Sequence, residues 1–293
     1  MLATEGWDIN QALLRLDAGV LVPENVRWQD PDSALSVACI GEQHDGNYRL
    51  WVGSDLIVDI FSGTRTIAYQ STSLPQSTVD QILNDLVLPR LLAHAGAFIV
   101  HAGAVQFNDR AILLMGPSGR GKSTLSASFD RAGSPLLGDD AMIVSSLGGA
   151  PRVRPIYPSL RLFPDSIAAM MLQSASADSM SPATTKRRFE VANALGTDRS
   201  PISVAALFSI APSAPDGEIL LRHLSTAEAC MALIESSFAL DPTDLTHARR
   251  RMDDASALAR QVPAFELHYP RNYDRLPEVR QAILDQIASL EDA

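Results

Sequence analysis

Gly116-Pro117-Ser118-Gly119-Arg120-Gly121-Lys122-Ser123 fills every fixed position of the pattern GxxxxGK[ST]. Its setting is the one such a loop needs. Apolar Ala111–Met115 reads as a strand entering the loop, and Lys122 to about Ala132 reads as a helix leaving it, closed by Gly133. Glycines in the loop let successive backbone N–H groups turn inward on phosphate oxygens, and the helix that follows presents its positive end to the same point. Gly116, Pro117, Ser118, Gly119, Arg120, Gly121, Lys122, Ser123 and Thr124 are therefore expected to bind nucleotide phosphate. Lys122 reaches the β and γ oxygens, and Ser123 holds Mg²⁺.

The basic residues support that reading. Of 24 lysines and arginines only two are lysine, Lys122 and Lys186. Where arginine is used nearly everywhere, a lysine kept in a phosphate loop fits the need for a compact ammonium that a planar guanidinium meets poorly.

A carboxylate must face such a loop for metal or base work. Asp139 and Asp140 follow Leu136-Leu137-Gly138, 17 and 18 residues past Lys122, where the strand after the helix should emerge beside the phosphates. Two adjacent carboxylates can divide the labour, one accepting a hydroxyl proton and the other holding Mg²⁺. His101 lies 21 residues before Lys122 on the neighbouring apolar run. The guanine-reading NKxD and the LSGGQ of transporter ATPases are both absent from the sequence.

Outward from this centre the pattern alternates strands and helices. AFIVHAGAVQF reads as a strand, Asn108-Asp109 as a turn, and LLGDDAMIV as the strand closing a βαβ arrangement. Upstream, Pro75 to Leu92 has a helical period through Val79, Ile82, Leu83, Leu86 and Val87. Residues 1–74 hold all three tryptophans and read as a small β-rich region, with Leu50 to Phe61 as strand, turn, strand. Downstream, residues 174–185 read as a flexible loop running into Lys186-Arg187-Arg188-Phe189, whose cations could close over a phosphate site. ISVAALFSI and EILLRHL read as strands, and Ser225 to Phe238 as a helix with capping-box spacing between Ser225 and Glu228. Pro263 to Tyr269 and Leu276 to Leu290 are expected to be a last strand and a last helix. The fold class is α/β, divided into a β-rich region at 1–74 and a nucleotide-binding domain at 75–293.

Composition narrows the partners. The net charge is −10, distributed as −7, +3 and −6 over residues 1–100, 101–200 and 201–293, so only the middle third can attract an anion. Nucleic acid and anionic membrane both reward a basic footprint and are not expected as partners. Cys39 and Cys230 show no metal-ligand spacing, and MLATEGWDIN lacks the basic start and apolar run of a signal peptide. A cytoplasmic location is expected.

IVHAGAV, GPSGRGKST and LLGDD together resemble, in order and spacing, the HPr serine kinase/phosphorylase family and its kinase-like relatives, which are related to PEP carboxykinases. The resemblance runs over roughly residues 85–275 and takes in, more loosely, YPSLRLFPDS, KRRF and QVPAFELHYPR. It implies a P-loop core of the HPr kinase/PEP carboxykinase-like type. It further implies an ATP- and Mg²⁺-dependent kinase in which Asp139 deprotonates a substrate serine, Asp140 assists the metal with Ser123, and His101 shares the site. YPSLRLFPDS is shorter than the glutamate-containing signature of HPr kinases and looks more like the HPr-kinase-like proteins of ribosomally made peptides, including lasso-peptide kinases. The implied acceptor is then a serine of a peptide or small protein; a kinase of that kind needs cations for the γ-phosphate, and Arg188, with Lys186 and Arg187, follows directly on the stretch read as a flexible loop. A nucleotide-dependent binding module and a small-metabolite kinase stay open at this point, as does homo-oligomerisation.

Overall fold

The computed structural model describes residues 8–11, 26–29, 38–42, 46–53, 55–71, 74–145, 149–157, 159–169, 179–181, 184–190, 200–213 and 217–291. The chain forms two compact units: Met1–His94 with Met180–Thr184 and Ala239–Ala248, and Ala95–Ser179 with Thr185–Phe238 and Arg249–Ala293.

The first unit carries a six-stranded sheet in the order β1 (Asp8–Gln11), β6 (Thr66–Ser71), β5 (Leu56–Phe61), β4 (Tyr48–Val52), β3 (Ala38–Glu42) and β2 (Val26–Gln29). The expected strand, turn and strand over residues 50–61 is the β4–β5 pair, in which Tyr48 faces Ile60 and Leu50 faces Val58. Alternation places these side chains on one face with Ile67 and Tyr69. The helical period after 75 becomes α1 (Gln76–Ile82), a π-turn over Leu83–Val87, and α2 (Leu88–His94). Pro89 has no N–H to offer the carbonyl of Asp85, and the helix widens into the π-turn just ahead of it. Val79, Ile82, Leu83, Val87 and Leu91 pack on the sheet face, and this compact unit includes the chain to His94.

The second unit is built on strands β7 (Phe98–Val100), β8 (Ala102–Phe107), β9 (Arg110–Met115), β10 (Leu136–Gly138), β11 (Met142–Ser145) and β12 (Arg152–Pro155), with helix α3 (Lys122–Arg131) between β9 and β10. After β13 (Ser159–Leu162), α4 (Pro164–Ala169), β14 (Ser179–Ser181) and β15 (Thr184–Glu190) come β16 (Ile202–Ile210), β17 (Leu220–His223) and α5 (Thr226–Glu235). The chain ends with α6 (Leu245–Gln261), β18 (Ala264–His268) and α7 (Leu276–Glu291). Strands β9, β16 and β18 are mutually parallel. Strand β9 is apolar throughout because both its faces are covered. Ala111, Leu113 and Met115 pack with Leu233 and Leu258 of α5 and α6, whereas Ile112 and Leu114 pack with Phe129 of α3 and Ile283 of α7. The capping box of α5 is present in full, with the Ser225 and Glu228 side chains each bonded to the other's backbone. This is the expected α/β core.

Two sequence expectations change in detail. AFIVHAGAVQF is not one strand: it breaks at His101, so that β7 pairs with β11 while β8 pairs with β9 and β10. The arrangement across α3 is not an adjacent βαβ either, because antiparallel β8 lies between β9 and β10. Within the stretch read as a flexible loop, 179–181 and 184–185 belong to strands; 174–178 and 182–183 fall outside the described residues. KRRF lies in β15, which pairs antiparallel with β13.

Candidate nucleotide site

Strands β9, β16 and β18 bring their carboxyl ends to one edge of the sheet, the edge at which open α/β sheets bind ligands. The phosphate loop leaves β9 at that edge. Gly116 has φ 131°, and a Cβ there would come 2.9 Å from the carbonyl oxygen of Ile210 at the end of β16. Gly121 has φ 92°, and a Cβ there would come 2.7 Å from the Tyr269 hydroxyl just past β18. The loop is wedged between the two neighbouring strand ends and only glycine fits both contacts. Helix α3 begins without a side-chain cap and with no acidic residue in its first turn, which leaves its N-terminal N–H groups available to an anion. Lys122 is buried, and its Nζ donates to the carbonyls of Gly116 at 2.7 Å and Pro117 at 3.1 Å.

Strand β8 explains how the other expected residues arrive. Ala102 is paired with Met115 at the entry to the loop, and Ala104 with Gly138 at the end of β10. His101, one residue before β8, and Asp139, one residue after β10, are thereby brought to the loop from opposite strands. A pocket of about 330 Å³ opens here. Ser118, Gly119, Gly121, Lys122, Ser123 and Thr124 line it from the loop, together with His101 and Asp140. Gly116 and Pro117 serve from behind through the carbonyls that hold Lys122, and Arg120 does not line the pocket.

The two aspartates differ sharply. Asp140 takes the left-handed φ of 75°, which turns its carboxylate to the pocket. One oxygen accepts a close bond from the Nε of Arg161, and the other lies 3.7 Å from Nε2 of His101. Asp139 is fully buried, does not line the pocket, and neither of its oxygens has a hydrogen-bond partner. Burial and then the negative charge of Asp140 raise its pKa from 3.8 to about 7. The Ser123 hydroxyl, short of ordinary hydrogen-bond geometry, pulls the other way together with Arg161 and Lys122. A carboxyl with this pKa changes protonation near neutrality, as a general base must.

His101 is held by its own contacts. Its N–H donates to the carbonyl of Ser236 at 2.6 Å, and its ring stacks on Phe238 at 5.9 Å with the planes 6° apart. Arg188 lies directly across from Arg161 in the β13–β15 register.

Sequence reasoning assigned no role to Arg271, Phe163, Ser166 or Tyr273, all of which line the pocket. Arg271 donates from Nη1 to the carbonyl of Gly119 at the tip of the loop. Its signal was its position, three residues after the end of a strand parallel to those flanking the loop. Thr124, Ser166 and Tyr273 form a chain of hydroxyl contacts, each 3.1 Å, that ends on Asp165 at 3.0 Å. Nothing in the local sequence marks that chain, which joins residues more than a hundred positions apart.

A nucleotide and Mg²⁺ fit what is present. The pocket combines the glycine-rich loop and the uncapped start of α3, the ammonium of Lys122, and the pocket-facing Ser123 and Asp140, with the unpartnered oxygens of Asp139 behind them. Among the described residues no group of three or more His, Cys, Asp or Glu side chains could hold a metal by itself. Mg²⁺ characteristically takes one or two protein oxygens and completes its shell with phosphates and water. Among the described residues no helix is long and apolar enough to cross a membrane.

No protein-family model matches the chain, and no curated protein matches it. Among solved structures, the HPr(Ser) kinase/phosphatase from Coxiella burnetii superposes with a TM-score of 0.37 at 12% identity, covering 66% of this chain and 98% of that one. The residues of the site, rather than that neighbour, carry the functional argument.

Proposed function

We propose that the chain is a cytoplasmic, ATP- and Mg²⁺-dependent kinase that phosphorylates a serine hydroxyl of a peptide or small protein. The observation that carries the proposal is the pair of unlike aspartates behind the phosphate loop. A nucleotide switch needs one carboxylate for its metal, whereas this site keeps a second one buried, without hydrogen-bond partners and close to neutrality.

The roles follow from position. The loop N–H groups and Lys122 hold the phosphates, Arg271 braces the loop at Gly119, and Arg161 and Arg188 lie opposite each other on the strand pair that brings Arg161 to the pocket. Ser123 and Asp140 would hold Mg²⁺, which supplies charge neutralisation on the phosphate oxygens. His101 steadies Asp140. As the serine oxygen bonds to the γ-phosphorus and the bond to the ADP oxygen breaks, the hydroxyl proton is taken up by the acid pair, of which Asp140 faces the pocket and Asp139 lies buried behind it, so that ADP and phosphoserine leave and the proton remains on the protein. The resemblance to lasso-peptide kinases narrows the acceptor to the C-terminal serine of a precursor peptide. Cations beside the γ-phosphate also suit a terminal carboxylate.

Incubation with labelled ATP, Mg²⁺ and a precursor peptide encoded beside the gene is expected to give a phosphopeptide modified at serine. Tight nucleotide binding without transfer to any peptide or metabolite would overturn the kinase reading and leave a nucleotide-dependent binding module.

A further inference from the structure

Eight large hydrophobic side chains are exposed among the described residues, and two of them, Phe163 at 42% and Tyr273 at 37%, line the same pocket as the phosphate loop. Exposed aromatic rings inside a charged pocket call for a flat apolar occupant.

Their place along the wall identifies it. Arg161, bonded to Asp140, marks the reacting end, where His101 and the acid pair gather. Phe163 follows two residues later, just past the end of β13, and lines the same pocket. Asp165 and Ser166 come next, and Tyr273 is bonded to both. The same hydroxyl chain starts at Thr124, the residue after Ser123, and so ties the ring to the loop. From Arg161 and His101 to Phe163 and Tyr273 the pocket lining thus changes from charged to aromatic. A nucleotide whose γ-phosphate lies near Lys122 and the aspartates must extend its nucleoside away from them, toward those rings.

We infer that Phe163 and Tyr273 form the nucleobase subsite of this pocket, holding the base by its face while the loop holds the phosphates. The inference rests on the nucleotide-binding reading and deepens it. Tyr273 is fixed for this task by its hydroxyl, which is anchored to Asp165 and Ser166, and Phe163 has no polar atom to read a base edge. Stacking of this kind accepts any base, because every base has a π-face.

Titration calorimetry with Mg·ATP and with Mg·tripolyphosphate separates the two ends of the pocket. Phe163→Ala is expected to weaken ATP binding about 10- to 100-fold, the usual range for losing one stacking ring, and to leave tripolyphosphate affinity unchanged. Phe163→Trp should restore ATP binding, and Tyr273→Ala should repeat the Phe163→Ala result. Wild-type ATP affinity in both alanine variants, with tripolyphosphate still bound, overturns the subsite and spares the phosphate loop. A parallel loss of tripolyphosphate overturns it as well, since the rings would then be supporting the wall rather than the base. A wild-type protein that binds neither ligand defeats the nucleotide reading itself. Phe163 is exposed and not part of the core, so its replacement is expected to leave the thermal transition in place.

Discussion

The pocket has two walls of opposite construction. One is the loop and helix start at 116–124, continuous in sequence and wedged between the ends of β16 and β18. The other is assembled from Arg161 in β13, Phe163 just past it, Ser166 in α4, and Arg271 and Tyr273 past β18, so its members are drawn from segments more than a hundred positions apart. The first wall offers N–H groups and an ammonium, a chemistry any phosphate satisfies. The second offers a guanidinium locked to a carboxylate, hydroxyls and exposed rings, a chemistry that selects and aims. Contiguous walls bind a class of ligand; assembled walls decide what is done with it.

Asp139, behind both walls, should give the largest effect. Asp139→Asn is expected to lower transfer by about 1,000-fold, within the range for losing a general base, while nucleotide affinity stays within about twofold of the parent. Retained transfer would remove the base assignment; a variant in which Asp140→Asn alone is dead would exchange the two roles. The same carboxyl sets a pH signature. With a folded pKa near 7 against 3.8 ordinarily, the folded chain keeps a proton that the unfolded chain releases, so the stability it contributes is present below pH 4 and is lost as pH rises through 7. Transfer, which needs the deprotonated form, should rise over that window. Melting temperature and turnover measured from pH 5 to 8 are therefore expected to move in opposite directions, and Asp139→Asn should flatten both.

Arg161→Met tests the assembled wall. It leaves Asp140 buried without its guanidinium and is expected to destabilise the fold by roughly 3 kcal/mol, read by denaturant melts. An unchanged midpoint would mean that His101 alone suffices for Asp140.

On the contiguous wall, Lys122→Arg is expected to reduce transfer about 100-fold. The planar guanidinium cannot occupy the narrow position in which Nζ meets the carbonyls of Gly116 and Pro117. Equal turnover with arginine would reduce the lysine to a bare charge. The smallest effect is expected at Ser166→Ala, which cuts the hydroxyl chain at its middle. A loss of about 1 kcal/mol in ATP binding, with turnover at saturating ATP unchanged, would mark a positioning contact, whereas a change in turnover would move Ser166 toward the chemistry.

The asymmetry of the walls also explains what could be read before folding. The phosphate loop, α3, β16, β18, α7 and the α5 capping box were legible because each depends on neighbours within a turn or a strand. The break at His101 was not. FIVHAGAVQF is apolar apart from His101 and Gln106, and only the change of partner from β11 to β9 and β10 makes two strands of it. KRRF read as charges trailing a loop because its partner, β13, lies some 25 residues earlier. Asp139 and Asp140 were found as a pair, but adjacent letters gave no hint that one would be sealed from the pocket and the other turned into it by a left-handed residue.

What the amino-acid sequence determined by itself was the local shape of the loop at 116–124 and the α/β class. The spacing of glycines, lysine and serine along one continuous backbone is sufficient to shape an anion site, and a strand apolar on both faces requires helices on both sides. What only the tertiary structure decided was the identity of the opposing wall and the unequal fates of the two aspartates. Those depend on burial and on charges brought together from distant segments, which the packing of the whole sheet creates and no local pattern encodes.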